Sequence, residues 1–165
     1  QGKLRVMKYD GAAWDSLGST STFMGGQPSI VLDNNNVVHV VFQDVPMTQA
    51  SVIYYNGGAW DYLGGPNVSS TTAIYTNLAF DASNNAYVSC TTIPQQRGEL
   101  IKYNGSSWSV LGQMYVAPNQ SIPNQYARFN GIAINSATQE PVKADLRGAV
   151  GCGDSLSLLE RIHLP

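Results

Sequence analysis

The sequence predicts an all-β fold assembled from repeated four-stranded antiparallel units. A segment of the form Tyr-x-Gly-x-x-Trp-x-x-Leu-Gly occurs three times, with its tryptophans at Trp14, Trp60 and Trp108. The tryptophan spacings of 46 and 48 residues are typical of solenoids and propellers. Only 12% of the residues are charged, whereas Gly, Asn, Ser and Thr are plentiful, and this balance favours turn-rich β structure over charged surface helices.

The first strand of each unit is predicted at a short apolar stretch that ends in a turn-forming residue. Residues 28–33 and 76–81 match at a distance of 48 residues, and residues 130–135 match both more loosely. The segments that follow, residues 33–36 and 81–85, are rich in Asn and Asp. These residue types tolerate left-handed backbone and hydrogen-bond to their own main chain, so both segments are predicted to be hairpin turns.

Three further strands complete each predicted unit. The fourth strand begins at each repeated Trp and ends at the Leu-Gly pair. The third strand alternates apolar and polar residues, as a half-buried strand does. The third strands are predicted at residues 4–9, 51–55 and 99–103. The second strands are predicted at residues 37–42, 86–91 and 141–146.

Four short antiparallel strands that recur about every 47 residues have the size of one β-propeller blade. The chain of 165 residues is therefore predicted to be a single repeat domain of about three blades. Joining its two ends would give fewer blades than the roughly four to eight of a propeller ring. We expect either the remainder of a longer chain or a homodimer of six blades to complete the ring. The predicted divisions are the last two strands of a blade in 1–18, complete blades in 28–64 and 76–112, and an incomplete blade in 128–165.

At the Tyr-x-Gly-x-x-Trp-x-x-Leu-Gly segment the chain resembles kelch-type and related secreted β-propeller repeats. In those repeats a strand ending in Tyr turns into a strand that opens with Trp. The chain departs from the kelch pattern at the end of the second strand, where residues 42–44 and 90–92 hold Phe-Gln-Asp and Cys-Thr-Thr instead of a Gly-Gly doublet. The resemblance implies a propeller with a binding or scaffolding role at its loops. It implies no catalytic residue.

Residues that recur in every copy are most simply explained by folding. We predict that the Tyr and Gly form a hairpin turn and that the Trp packs between neighbouring sheets. The repeated structural residues are Tyr9, Gly11, Trp14, Tyr55, Gly57, Trp60, Tyr103, Gly105 and Trp108.

Ligand binding is expected where the copies differ. An aromatic ring can stack on the apolar face of a sugar, and lectin propellers repeat such sites once per blade. The tyrosines outside the repeated motif and the Asn-rich turns are therefore the candidates for a glycan site, with a protein ligand as the alternative. The candidate ligand-binding residues are Tyr54, Tyr62, Tyr75, Tyr115 and Tyr126.

Residues suited to catalysis are few. His39 and His163 are the only histidines, and His39 alternates with apolar neighbours as a buried strand residue would. The sequence has no metal-ligand spacing of histidines and no Gly-x-Ser-x-Gly motif. Asp44 and Asp145 lie at the ends of second strands, where two carboxylates could serve as acid and base on a glycoside.

We expect a non-enzymatic binding or scaffolding module without cofactor or metal. A lectin is the first alternative, and a propeller glycosidase or lyase is the second.

Charge and cysteine content restrict the partners. The net charge of −2 provides no basic surface for nucleic acid, and no apolar run approaches the roughly 18 to 20 residues that span a bilayer. The Asn, Ser and Thr content favours an extracellular or cell-surface protein.

Cys90 and Cys152 would form one disulfide in an oxidising compartment. The alternative is two unrelated thiols, one of them buried.

Overall fold

A computed structural model of the chain describes residues 2–20, 22–94, 96–114 and 126–148. These residues form antiparallel β-sheets and contain no helix, which confirms the predicted all-β fold. The described part of the chain accordingly offers no helix long and apolar enough to cross a membrane. The strands are Gly2–Lys3 (β1), Met7–Tyr9 (β2), Trp14–Ser16 (β3), Met24–Leu32 (β4), Val38–Asp44 (β5), Ala50–Tyr55 (β6), Trp60–Tyr62 (β7), Thr72–Phe80 (β8), Ala86–Ile93 (β9), Arg97–Tyr103 (β10), Trp108–Met114 (β11), Tyr126–Ile134 (β12) and Pro141–Gly148 (β13).

Two four-stranded meanders form the centre of the structure. Strands β4 to β7 pair in chain order, as do β8 to β11, and each meander corresponds to one complete predicted unit. Strands β2 and β3 form a hairpin before the first sheet, and β12 and β13 form another after the second. The first strands of successive units, β4, β8 and β12, lie next to one another.

The first strands differ from the prediction. Residues 4–9 were expected to form one continuous strand, and no strand was expected before them. Instead Gly2 and Lys3 pair with β4, and β2 begins only at Met7. Strand β11 also differs from the prediction, since it continues past the Leu-Gly pair to Met114. It does so because Gly112 and Met114 pair with Leu100 and Gly98 of β10.

A β-bulge extends the first strand of each unit beyond the predicted bounds. The pairing shifts between Gly26 and Ser29 in β4, and the equivalent shift occurs at residues 74–77 in β8 and 128–131 in β12. Gln27 and Tyr75 occupy the same place in their bulges and have φ values of 53° and 54°. The Gln27 side-chain oxygen accepts a hydrogen bond from the Tyr75 N–H at 2.6 Å. The bulges therefore bind neighbouring units to each other, as well as bending each strand.

The turn between the third and fourth strands is built in the same way in each unit. The Asn56 Oδ1 accepts hydrogen bonds from the N–H groups of Gly58 and Ala59 at 3.0 and 2.7 Å. Gly57 between them has a φ of 97°, a conformation that strongly favours glycine. The same turn is formed at Asp10-Gly11 and at Asn104-Gly105.

The apolar cores lie between successive units. Strand β5 is buried on both faces, because consecutive side chains point to opposite sides of a sheet. Val40 contributes to a cluster with Val6 of the first hairpin, whereas Val41 contributes to a cluster with Leu78 of the second sheet. Each sheet therefore depends on its neighbours to cover its apolar side chains.

In the two complete units the tryptophan binds the main chain of the unit before it. Trp60 Nε1 donates a hydrogen bond to the Leu17 carbonyl oxygen, and Trp108 Nε1 donates to the Leu63 carbonyl oxygen, both at 2.7 Å. The glycine after each leucine makes room for the indole. Gly64 has a φ of 70°, and a Cβ atom added to it would lie 2.9 Å from Trp108 Nε1.

We predict that Gly64→Ala destabilises the fold more than Gly57→Ala. Both positions have positive φ, which costs an alanine about 1–2 kcal/mol. The free energy of unfolding of Gly64→Ala falls further because the new methyl group collides with the indole, whereas nothing lies within 4 Å of a Cβ at Gly57. Urea denaturation measures both changes. Gly58→Ala, which has no positive φ, is the control, and equal losses for Gly57→Ala and Gly64→Ala would contradict the prediction.

Candidate functional site

A cleft of about 360 Å³ lies between the two complete sheets. The first unit contributes His39 and Tyr54 to its wall, and the second unit contributes Phe80 and the turn that contains Asn84 and Asn85. Side chains from both units are needed to form it. Its size falls at the lower end of the range of small-molecule sites.

Three rings that contact one another form one aromatic wall of the cleft, which Tyr103 also lines. The His39 ring is stacked on Tyr54, with ring centroids 5.9 Å apart and an interplanar angle of 25°. Phe80 contacts the same imidazole at a centroid distance of 4.7 Å. The pairing of β5 with β6 places His39 directly opposite Tyr54. The stack is therefore fixed by backbone register and by contact with the next unit.

His39 is held in place by its main-chain contact as well. Its Nδ1 lies 3.1 Å from the Val37 carbonyl oxygen, which can only accept, so this bond requires a proton on Nδ1. Burial lowers the pKa of His39, although the Val37 carbonyl and the nearby Asp33 carboxylate oppose that shift. The imidazole is consequently neutral at neutral pH and forms part of the aromatic wall.

The polar side of the cleft is an ordered network between two turns. Asp33 Oδ1 accepts from the N–H groups of Asn35 and Val37, at 2.9 and 2.8 Å, and Asp33 Oδ2 accepts from Asn84 Nδ2 at 2.9 Å. Asn84 Oδ1 in turn accepts from the Asn34 N–H at 2.9 Å. Burial raises the pKa of Asp33, but these hydrogen bonds outweigh it and hold the pKa below its usual value. The carboxylate is therefore ionised and fixed in orientation.

The second turn repeats this arrangement. Asp81 Oδ1 accepts from the N–H groups of Ser83 and Asn85, and Asp81 Oδ2 accepts from Asn85 Nδ2 and from the Tyr87 hydroxyl. As at Asp33, burial opposes the shift, yet these bonds keep the pKa of Asp81 low. The next unit continues the chain of contacts, because Gln139 Oε1 accepts from the Ala82 N–H at 2.7 Å. The turns thus form a row of hydrogen-bonded contacts across three units.

The tyrosines predicted to bind a ligand lie in different environments. Tyr54 lines the cleft. Tyr62 donates a hydrogen bond from its hydroxyl to Asp44 Oδ2 at 2.7 Å, and burial followed by this bond raises its pKa. Tyr75 occupies the bulge of β8. Tyr115 lies outside the described residues, and of Tyr126 only the backbone, in β12, is described.

The residues considered for catalysis do not form a group within the described part of the chain. Asp44 is buried and accepts the Tyr62 hydroxyl bond, while Asp145 is described only as a backbone position in β13 and His163 lies outside the description. Among the described residues no group of three His, Cys, Asp or Glu side chains could hold a metal ion.

Cys90 is fully buried in the core between the two sheets. Burial first, and then the carboxylate of Glu99, raises the pKa of the Cys90 thiol to about 12. Cys152, its predicted disulfide partner, lies outside the described residues. The pairing stays a prediction.

Sequence reasoning missed His39 and Phe80 as parts of the cleft. His39 was interpreted only as a buried strand residue, and Phe80 only as the end of a first strand. The sequence did contain a signal for the His39–Tyr54 contact, because a hairpin over residues 37–55 places these two residues opposite each other. The contact with Phe80 depends instead on the packing of one unit on the next, which the sequence pattern does not encode.

We predict that the fold loses stability as the pH falls from 7.5 to 5, because His39 has a lowered pKa in the folded state. The unfolded chain takes up a proton near pH 6.5, whereas folded His39 does so only at lower pH, so the unfolded state gains stability in this window. His39→Phe should reduce the slope of the unfolding midpoint against pH. Thermal unfolding followed by circular dichroism measures the slope, and staying above pH 5 leaves the Asp carboxylates ionised. An unchanged slope in His39→Phe would contradict the assignment.

Comparison of the chain with protein-family models, with curated proteins and with solved structures finds no match. The kelch-like resemblance therefore depends on the repeated motif alone.

Proposed function

We propose that this chain is a non-enzymatic extracellular binding module built from propeller blades, and that the cleft between its units binds a carbohydrate. The observation that carries the proposal is the juxtaposition of an aromatic wall with an ordered row of amide and carboxylate groups. A pyranose has an apolar face that stacks on rings and an edge of hydroxyl groups that bond to such polar groups. The cleft offers both kinds of contact.

The rigidity of the cleft supports a binding role. His39 is fixed between Tyr54 and Phe80, and the polar groups of Asp33 and Asn84 are oriented by the hydrogen bonds of the turns. A site ordered before the ligand arrives loses less conformational entropy on binding. A shallow site can therefore bind a sugar with useful affinity without a conformational change.

The same contacts argue against acid-base chemistry in the proposed function. A general base must reach the substrate proton, but His39 is 4% exposed between Tyr54 and Phe80, and Asp44 is buried beside the Tyr62 hydroxyl. Both groups are used by the fold. Side-by-side sheets whose first strands are adjacent support the propeller architecture in which such a cleft would recur at each junction.

We predict that Tyr54→Ala lowers affinity for the bound glycan at least tenfold, because it removes the ring that stacks on the sugar. Tyr54→Phe should stay within about threefold of the unchanged protein, since it keeps the ring. A glycan array selects the ligand, and calorimetric titration then measures the affinities. Tyr62→Phe is the matched control, because Tyr62 does not line the cleft.

Two outcomes would contradict the proposal. One is the absence of glycan binding by the unchanged protein, or binding that Tyr54→Ala leaves intact. The other is turnover of a bound polysaccharide that Asp44→Asn abolishes, which would identify an enzyme instead of a binding module.

A further inference from the structure

The charge in the walls of the cleft has one sign. Asp33 lines the cleft together with His39 and Tyr54. Although burial opposes the shift, hydrogen bonds hold the pKa of Asp33 below its usual value, so its carboxylate is negatively charged at neutral pH. None of the described residues that line the cleft is a lysine or an arginine. The described walls therefore contain an anion and no cationic side chain to neutralise it.

Asp33 is placed so that its charge acts on the cleft. The residue is 9% exposed, and water and salt screen a largely buried charge less than an exposed one. Asp33 Oδ1 accepts two main-chain hydrogen bonds, whereas Oδ2 accepts one, from Asn84. A carboxylate has about four acceptor positions in total. Oδ2 therefore has an acceptor position left for a donor from a ligand.

The aromatic wall attracts the same kind of group as the carboxylate does. A cation within about 6 Å of the centroid of a tyrosine or phenylalanine ring is attracted to the face of that ring. Tyr54 and Phe80 supply two such rings, one on each side of His39 in the chain of ring contacts. The rings and the carboxylate both line the cleft, so both favour a cationic group on its ligand.

The second unit contains an ammonium group at the corresponding place of the repeat. Strand pairing puts Lys102 opposite Tyr87, at the register position that Tyr54 has in the first unit. Lys102 Nζ lies 5.2 Å from the centroid of the Tyr87 ring. The Tyr87 hydroxyl in turn donates a hydrogen bond to Asp81 Oδ2, and Asp81 is the equivalent of Asp33. This part of the repeat thus accommodates an ammonium group beside an aromatic ring and an aspartate turn.

We propose that the cleft selects glycans that carry protonated amino groups, such as deacetylated hexosamines, over neutral and acidic glycans. In the complex a sugar ring stacks on Tyr54 and its ammonium group lies toward Asp33. The carboxylate attracts the ammonium group and repels the carboxylate or sulfate group of an acidic sugar. This inference rests on the proposed carbohydrate-binding function, because it names the kind of glycan that the same cleft binds.

The test uses three β-1,4-linked tetrasaccharides that differ in one substituent of each sugar. They are made of glucosamine, N-acetylglucosamine and glucose, which carry an amino, an acetamido and a hydroxyl group at that position. Calorimetric titration of the full chain, at a pH at which the amino groups are protonated, measures the three affinities. We expect the glucosamine tetrasaccharide to bind at least about tenfold more tightly than the other two, since a hydrogen bond to a charged group is stronger than one between neutral groups.

Asp33→Asn removes the charge and keeps the residue type that the turn needs. Asn135 occupies the equivalent position in the third unit, and its Oδ1 accepts a hydrogen bond from the Ala137 N–H at 2.9 Å. We expect this variant to reduce the preference for glucosamine to less than about threefold. Its affinity for the N-acetylglucosamine tetrasaccharide should change by less than about threefold, because that ligand is neutral. Circular dichroism checks that the variant is folded.

Asp10→Asn is the matched control for the loss of one negative charge. Asp10 lies in the exposed turn of the first hairpin, and Asn56 and Asn104 form the same turn in the two complete units. Asp10 does not line the cleft. We expect this control to keep the full preference for the glucosamine tetrasaccharide.

The salt dependence of binding tests the inference on the unchanged protein. Raising the salt concentration from about 50 to about 500 mM shortens the screening length severalfold. We expect the preference for glucosamine over glucose to fall at least threefold, while the affinity for the glucose tetrasaccharide changes by less than about twofold. This measurement holds even if Asp33→Asn does not fold.

The outcomes separate this inference from the proposed function. Equal affinity for the three tetrasaccharides, tighter binding of an oligogalacturonate, or a preference that high salt and Asp33→Asn leave intact would overturn the selectivity, and the carbohydrate proposal would stand. Equal binding of a trilysine peptide would also overturn it, because the cleft would then recognise a cation without a sugar. No binding of any glycan, in these titrations or on the array, would overturn the carbohydrate proposal itself.

Discussion

The hydrogen bonds from the Trp60 and Trp108 indoles to the leucine carbonyls of the preceding units are the contacts on which the other features depend. Trp60 and Trp108 make them at the same distance, and a glycine follows each accepting leucine because a side chain there would collide with the indole. Each bond joins one complete unit to the unit before it. Both apolar clusters in the described part of the chain combine side chains of successive units, so each unit depends on its neighbours for its core.

The cleft is a consequence of this arrangement. Where the second unit packs on the first, Phe80 of the second unit meets His39 of the first, and Asn84 reaches Asp33. These contacts stabilise the fold and orient the cleft at the same time. Folding and binding are therefore coupled, and a ligand in the cleft would raise the free energy of unfolding by mass action.

The sequence allowed the all-β fold and the two central units to be predicted, because turn chemistry and repetition are local signals. The Asp33 and Asp81 turns hydrogen-bond to their own backbone as their residue types indicate. The bulges at Gln27 and Tyr75 escaped prediction, since their left-handed backbone is supported by contacts between units. The aromatic wall of the cleft escaped for the same reason. Of the predicted ligand residues Tyr54 lies in the cleft, where its neighbours come from strand pairing and from the next unit.

Equivalent residues of the repeat can share a local structure and still differ in their contacts. Trp14 and Trp60 have the same local turn and the same tilted contact with a tyrosine ring, yet Trp14 is largely exposed and Trp60 is buried. The Trp60 indole is covered because it contacts the Leu17 carbonyl of the first hairpin. Between the described units the motif holds neighbouring sheets together, and in the first hairpin the same groups are exposed. In a repeat protein, the apolar faces that neighbouring units bury against each other also favour association wherever no neighbouring unit covers them.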